Sequence, residues 1–201
     1  SGQVGVPSCT AVGIDFPDVE SDRTETWEFG VKSAWLDNRI IFNAAAYRTD
    51  WEDIPVRVNV SQDPICNPIL NAGKAQSEGI ELELQARLTE SLQLDISAST
   101  VDATLEETSN IGNKGDDLPG SADYNASVGL EYDFILGSYP SFARIDYSYV
   151  GEYFNNVAST GTPAGDFSLV HVKFGAEVGQ VNVDLFVNNL TNETGFTWIE
   201  F

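Results

Sequence analysis

Residues 80–88, IELELQARL, alternate without a break. Ile80, Leu82, Leu84, Ala86 and Leu88 fall on one side, and Glu81, Glu83, Gln85 and Arg87 on the other. Successive side chains of a strand point to opposite faces, whereas a helix would scatter the same apolar residues around its circumference. The stretch is therefore a strand with one dry face and one charged face. An exposed strand of a soluble sandwich more often carries Thr, Ser and Lys on its wet side than full charges at successive positions.

The same period recurs along the chain. Trp27, Phe29, Val31 and Trp35 oppose Glu28, Gly30, Lys32 and Ala34. Asp37-Asn38 then reads as a two-residue hairpin turn, because both residues tolerate positive φ. On the returning strand Ile40, Phe42, Ala44 and Ala46 form the drier set. Leu92, Leu94, Ile96 and Ala98 oppose Gln93, Asp95, Ser97 and Ser99. Ala122, Tyr124, Ala126, Val128, Leu130, Tyr132 and Phe134 oppose Asp123, Asn125, Ser127, Gly129, Glu131 and Asp133. Ala143, Ile145, Tyr147 and Tyr149 oppose Arg144, Asp146 and Ser148. Val170, Val172, Phe174, Ala176 and Val178 oppose His171, Lys173, Gly175 and Glu177. Val181, Val183, Leu185 and Val187 oppose Asn182, Asp184, Phe186 and Asn188. Aperiodic stretches over 1–23, 52–71, 102–120 and 155–165 alternate with tight turns at 89–91, 137–141 and 178–180. The residues after Asn189 open another loop and leave room for a ninth strand. The expected fold is all-β, an antiparallel up-and-down meander of about eight strands. Short and long connections in alternation are the habit of outer-membrane barrels.

Charge narrows the partners. With 31 acidic and 10 basic residues the net charge is -21, which makes nucleic acid a poor partner. No run approaches the ~18 apolar residues of a transmembrane helix, but barrel strands carry a far weaker signal per segment. Eight residues separate Trp27 from Trp35, and eight separate Tyr124 from Tyr132. That spacing covers about 26 Å of strand, or about 20 Å of height at a tilt of ~40°, close to the ~25 Å of an apolar band with an aromatic girdle at each edge. The expected lipid-facing set is Trp27, Trp35, Ile80, Leu82, Leu84, Tyr124, Val128, Leu130, Tyr132, Ile145, Tyr147, Val172, Phe174, Val183 and Leu185. The expected lumen-facing polar set is Glu81, Glu83, Arg87, Asp95, Glu131, Asp133, Arg144, Asp146, His171, Lys173, Glu177 and Asp184. A barrel of ~8 strands has an interior that its side chains fill, so burying this many charges there would demand near-complete pairing. A wide hydrated lumen removes that demand, and the chain then reads as part of a larger barrel.

No pattern of catalytic chemistry accompanies the strands. His171 is the sole histidine and has no nucleophile motif with it; it reads as a polar residue of the lumen wall. One histidine and two loop cysteines make no zinc spacing, and Asp116-Asp117 lacks the further ligands of a calcium loop. No phosphate-binding glycine loop is present. The chain is not expected to be an enzyme or to hold a catalytic residue, a metal or a cofactor.

NAGKAQSEGIELELQARL (71–88) resembles the N-A-G-x-A-x-x-x-G-[IV]-E-L-E-L segment of TonB-dependent receptors. TETWEFGVKSAWLDNRIIFNAAAYRTDWEDI resembles their E-x-G-x-K-x-x-x-x-[DN]-x-R-[IL]-x-x-N-A-A-x-[FY] hairpin. DLPGSADYNASVGLEYDF, ARIDYSYVGEY and LFVNNLTNE continue the likeness in the family's order, from about Thr24 to Glu193. The resemblance implies a 22-stranded transmembrane β-barrel of the bacterial outer membrane, filled by an N-terminal plug. It implies active uptake of a scarce nutrient such as a ferric siderophore, with cobalamin and carbohydrate also open. Its implied partners are outer-membrane lipid, that small-molecule nutrient and an inner-membrane TonB complex reached through the plug. Residues 1–23 would be an extracellular loop and 24–201 a partial barrel, without plug, TonB box or the final strand or two. A small self-contained barrel acting as a passive pore and a soluble β-sandwich binding module are the other readings. With the tight Asp37-Asn38 turn on the periplasmic side, Cys9 and Cys66 fall at the extracellular end of one hairpin. The periplasm is oxidising, so a Cys9–Cys66 disulfide is expected; free thiols or pairing with sequence outside this chain are the alternatives.

Overall fold

The computed structural model describes residues 18–57, 61–62, 65–66, 68–71, 73–109, 111–159 and 161–197. Eight long strands follow one another: β1 (Arg23–Trp35), β2 (Ile40–Glu52), β3 (Lys74–Arg87), β4 (Leu92–Leu105), β5 (Tyr124–Leu136), β6 (Tyr139–Val150), β7 (Phe167–Val178) and β8 (Val181–Val187). They form one antiparallel sheet in which each strand pairs with the next in sequence. The sheet stays open, with unpaired edges on β1 and β8.

One row across the sheet shows why these residues choose this register. Trp35, Ile40, Ala86, Leu94, Leu130, Ile145, Val172 and Val187 stand opposite one another from β1 to β8. Every member is apolar. In β3 to β7 a slip of one residue would bring Arg87, Asp95, Glu131, Arg144 or Asp146, or Lys173 into this row in at least one direction, and an apolar side chain into the polar rows beside it. The alternation therefore fixes the pairing strand by strand, and the connections need only return the chain.

The short connections depart somewhat from the sequence expectation. The first is not the two-residue turn Asp37-Asn38 but a four-residue one over 36–39. Leu36, Asp37 and Asn38 all adopt positive φ, at 53°, 55° and 62°, and the Arg39 N–H closes on the Leu36 carbonyl at 3.1 Å. Leu36 is apolar, and strand pairing stops at Trp35 with Ile40. The turns between β5 and β6 and between β7 and β8 are two-residue ones. Each opens on a glycine at positive φ, Gly137 at 67° and Gly179 at 68°, the backbone that tight hairpins require.

The stretch expected as an irregular loop over 52–71 carries a hairpin of its own. Pro55–Arg57 pairs with Ile69–Asn71, and Ser61–Gln62 pairs with Ile65–Cys66. Strand β4 runs to Leu105 rather than ending near Thr100. After Val187 the described residues hold turns and no ninth strand; the Asn192 N–H bonds the Asn189 carbonyl at 3.0 Å.

The sheet has no central core. Among the described residues the buried hydrophobic side chains are Ile54, Cys66, Ala75, Ala86, Leu105 and Ala164. Ile54, Ala75 and Leu105 form one cluster where the long connections leave the strands, and Trp51, Val56, Ile111, Leu118 and Val157 pack against it. Among the described residues no helix is long and apolar enough to cross a membrane, which says nothing about crossing by strands.

Candidate functional site

The polar face holds its charges in register. Asp95, Gly129, Asp146 and His171 share one row, and Arg87, Gln93, Glu131, Arg144 and Lys173 share the next. Arg144 is the hub. Its guanidinium lies 2.7 Å from Asp146, 3.0 Å from Asp95 and 3.6 Å from Glu131. Asp95 sits on β4, two strands from Arg144 on β6, so the side chain must cross β5 to reach it. Gly129 provides the crossing. A Cβ there would stand 2.3 Å from Arg144 Nη2 and 2.7 Å from Asp146 Oδ1. One cation thus ties three adjacent strands together on the polar face.

Two more glycines do the same for aromatic rings. The Tyr47 ring lies over Gly79, and the Phe142 ring over Gly175. Lys173 places its Nζ 5.2 Å from the Phe142 ring centroid and 3.1 Å from Asp184. Elsewhere on this face Asn43 donates to Glu83 at 3.2 Å, Ser97 and Ser127 share a hydroxyl contact of 2.8 Å, and His171 Nδ1 accepts from the Asn189 N–H at 3.3 Å. Glu81, Arg87, Asp133 and Glu177 stand on the same face away from the Arg144 cluster. Among the described residues no three His, Cys, Asp or Glu side chains are gathered so as to hold a metal ion. The arrangement is a net-acidic, partly exposed wall.

The opposite face is apolar and open. Trp27, Trp35, Ile80, Leu82, Leu84, Tyr124, Val128, Leu130, Tyr132, Ile145, Tyr147, Val172, Phe174, Val183 and Leu185 all fall on it by register. Trp27 is 69% and Leu185 67% exposed, so among the described residues no second layer covers the face at either edge of the sheet. The other ladders are two-stranded and belong to the connections. Aromatic rings gather at its two ends. Tyr124 stacks on Tyr149 at 5.6 Å near the long connections, and Tyr132 stacks on Phe134 at 5.7 Å near the short turns. Beyond the upper ring the face turns charged. Trp27 is in register with Arg48, Arg48 with Glu78, and Glu78 with Asp102. Above that row Arg48 meets Asp50 at 3.1 Å and Lys74 meets Glu52 at 2.6 Å.

Cys66 is fully buried and is not a free thiol. Its expected partner Cys9 lies outside the described residues, as does most of the expected extracellular loop 1–23. Two features escape sequence reasoning. The first is Gly129 as the seat of Arg144; its trace is a glycine interrupting the polar side of β5, which otherwise carries Asn125, Ser127, Glu131 and Asp133. The second is the small core beneath the connections. Its trace is the presence of Ile54, Ile111, Leu118 and Val157 in stretches otherwise rich in Asp, Gly and Asn.

An open meander, one face apolar and bare, the other charged, invites comparison with known barrels. The sequence matches the family described as "TonB dependent receptor-like, beta-barrel" over residues 3–190. The chain belongs to that family. Barrels of the TonB-dependent receptor family reside in the bacterial outer membrane, and its members are transporters, not enzymes. Three solved structures share the fold. The ferric yersiniabactin uptake receptor FyuA from Yersinia pestis has a TM-score of 0.73 at 19% identity, covering 88% of this chain and 26% of that one. BauA, the ferric preacinetobactin receptor from Acinetobacter baumannii, has a TM-score of 0.68 at 19% identity, covering 90% and 26%. The copper transporter OprC has a TM-score of 0.71 at 17% identity, covering 90% and 27%. The chain thus spans about a quarter of the length of each of these three proteins.

Proposed function

We propose that this chain is a stretch of barrel wall in a receptor that takes up a scarce nutrient of the ferric-siderophore class, driven by an inner-membrane TonB complex. The observation that carries this reading is the exposed apolar face. Eight strands present bulky side chains over which the described residues lay no protein layer, and lipid is the natural solvent for such a surface. The lipid-facing and lumen-facing residues are then the two sets separated by register. A β-sandwich would need a second sheet on the apolar face, and the described residues form none.

The stagger of the short turns adds support. Trp35, the last residue of β1, is in register with Val187 on β8, yet β8 begins six residues lower at Val181. Six residues are about 20 Å of strand, and seven strand spacings are about 34 Å. Turns lying level on one side of a membrane would then incline the strands by about 30°, near the ~35–45° of outer-membrane barrels. The Arg144 cluster, on the other face, suits a lumen wide enough to admit water. Residues 1–23 and the long connections lie on the extracellular side in this reading, where a Cys9–Cys66 disulfide would join the first two of them.

The test is uptake by iron-starved cells carrying the full-length receptor as their only route for a panel of labelled ferric siderophores, with labelled cobalamin and an oligosaccharide as further arms. Receptor-dependent accumulation of a ferric siderophore that is lost on deleting TonB is expected. Accumulation that persists without TonB would make the barrel a passive pore. Uptake of cobalamin or sugar alone would overturn the cargo assignment.

A further inference from the structure

We infer that the described residues of the three long connections, which lie within 53–73, 106–123 and 151–166, do not form independent loops but one cooperatively folded cap. The floor of the cap comes from the sheet: Trp51, Ala75 and Leu105 stand in register on the polar face of β2, β3 and β4. Each connection then lays an apolar side chain on that floor. Ile54 and Val56 come from the first, Ile111 and Leu118 from the second, and Val157 from the third. Leu105 at the centre is wholly buried, although it ends a strand whose lower part is solvated on that face. A Cβ on Gly112 would stand 2.7 Å from Val157 and 2.9 Å from Leu105, so the second connection is pressed against the third.

Backbone bonds join the same pieces. The Ile54 N–H bonds the Gly73 carbonyl at 3.2 Å, closing the first connection on itself. The Glu106 N–H bonds the carbonyl of Lys74 at 2.8 Å, which ties the start of the second to the first residue of β3, next to the end of the first. Between the second and third, the Ala158 N–H bonds the Asp117 carbonyl at 3.0 Å and the Gly120 N–H bonds the Phe154 carbonyl at 2.7 Å. The Ser159 hydroxyl also bonds the Asp117 carboxylate at 2.6 Å. Because Trp51, Ala75 and Leu105 belong to the polar face, the cap folds over that face and not over the apolar one. Segments that share a buried core and hydrogen bonds open together, since releasing one exposes the apolar surface of the others. The cap therefore opens as a unit, and any ligand crossing this rim meets one moving part.

Hydrogen–deuterium exchange on the full-length receptor in detergent tests this, with the amides of Ile54, Leu118 and Ala158 as reporters, one for each connection. Val157→Ala removes apolar contact from the third connection only. It should speed exchange at all three reporters together by at least about tenfold, while mid-strand amides such as Leu84 and Ile96 keep their protection. Val56→Ala, in the first connection, should do the same from the other side. Acceleration confined to the connection that carries the substitution would overturn the cap as a unit, and would leave the barrel reading untouched.

Discussion

Gly129→Val is the sharpest perturbation of the polar wall. A side chain at 129 enters the space through which Arg144 reaches Asp95, where even a Cβ would stand 2.3 Å from Nη2. The guanidinium must swing away, and the 3.0 Å contact to Asp95 is lost. The magnitude follows from exposure. Arg144 and Asp95 each keep 26% of their side-chain surface, and Asp146 keeps 40%, so water screens the cluster partly. Exposed pairs are worth ~0.2–1 kcal/mol, so one bidentate cation serving three carboxylates should contribute roughly 1–2 kcal/mol. Valine also favours a strand over glycine by up to about 1 kcal/mol, which hides much of the loss in the single variant. The informative quantity is therefore a coupling. Asp95→Asn should cost about 1 kcal/mol alone and close to nothing in the Gly129→Val background. Urea unfolding of the receptor in phospholipid vesicles, followed by tryptophan fluorescence, measures all four corners. Costs that add within ~0.3 kcal/mol would show that Gly129 is not the passage for Arg144 and refute the reasoning.

Two further expectations test the facing and the rim. Leu84→Arg places a charge mid-band on the apolar face and should cost ~2–4 kcal/mol in a bilayer, whereas Gln85→Arg, one residue on, should cost little because the hydrated side solvates it. Equal losses of folded barrel, read from heat-modifiable mobility on gels, would contradict the assigned faces. A Cys9–Cys66 bond would close a loop of about 57 residues and stabilise by roughly 4 kcal/mol on the chain-entropy model. Intact mass of the receptor from its native membrane, with and without reductant and alkylation, should show two protected cysteines; two freely alkylated thiols without reductant would reject the bond.

Much of the fold was legible because a strand's period is two and the chain keeps it over stretches of about ten residues. The alternation from Ile80 to Leu88, or from Tyr124 to Phe134, names both faces at once, and register follows because a one-residue slip exchanges them. The meander, its open edges and the two-faced wall are consequences of that pattern. Turn geometry was less legible. Asp37-Asn38 marks a turn, but nothing local to the sequence says that Leu36 also takes positive φ; that depends on where pairing with β2 stops. The connection over 52–71 hid its hairpin because two- and three-residue ladders are too short for a period to emerge.

The tertiary structure alone decided what happens between strands. Arg144 and Asp95 are 49 residues apart, and only the order β4-β5-β6 with a glycine on the middle strand brings them within 3.0 Å. Leu105, Ile111, Leu118 and Val157 follow no shared period, so their common burial cannot be read along the chain. It arises because the ends of β2, β3 and β4 meet in register and give the connections a dry floor. Periodicity is a property of neighbours in sequence and specifies faces; contacts across strands and among connections belong to neighbours in space, and those exist only once the sheet has formed.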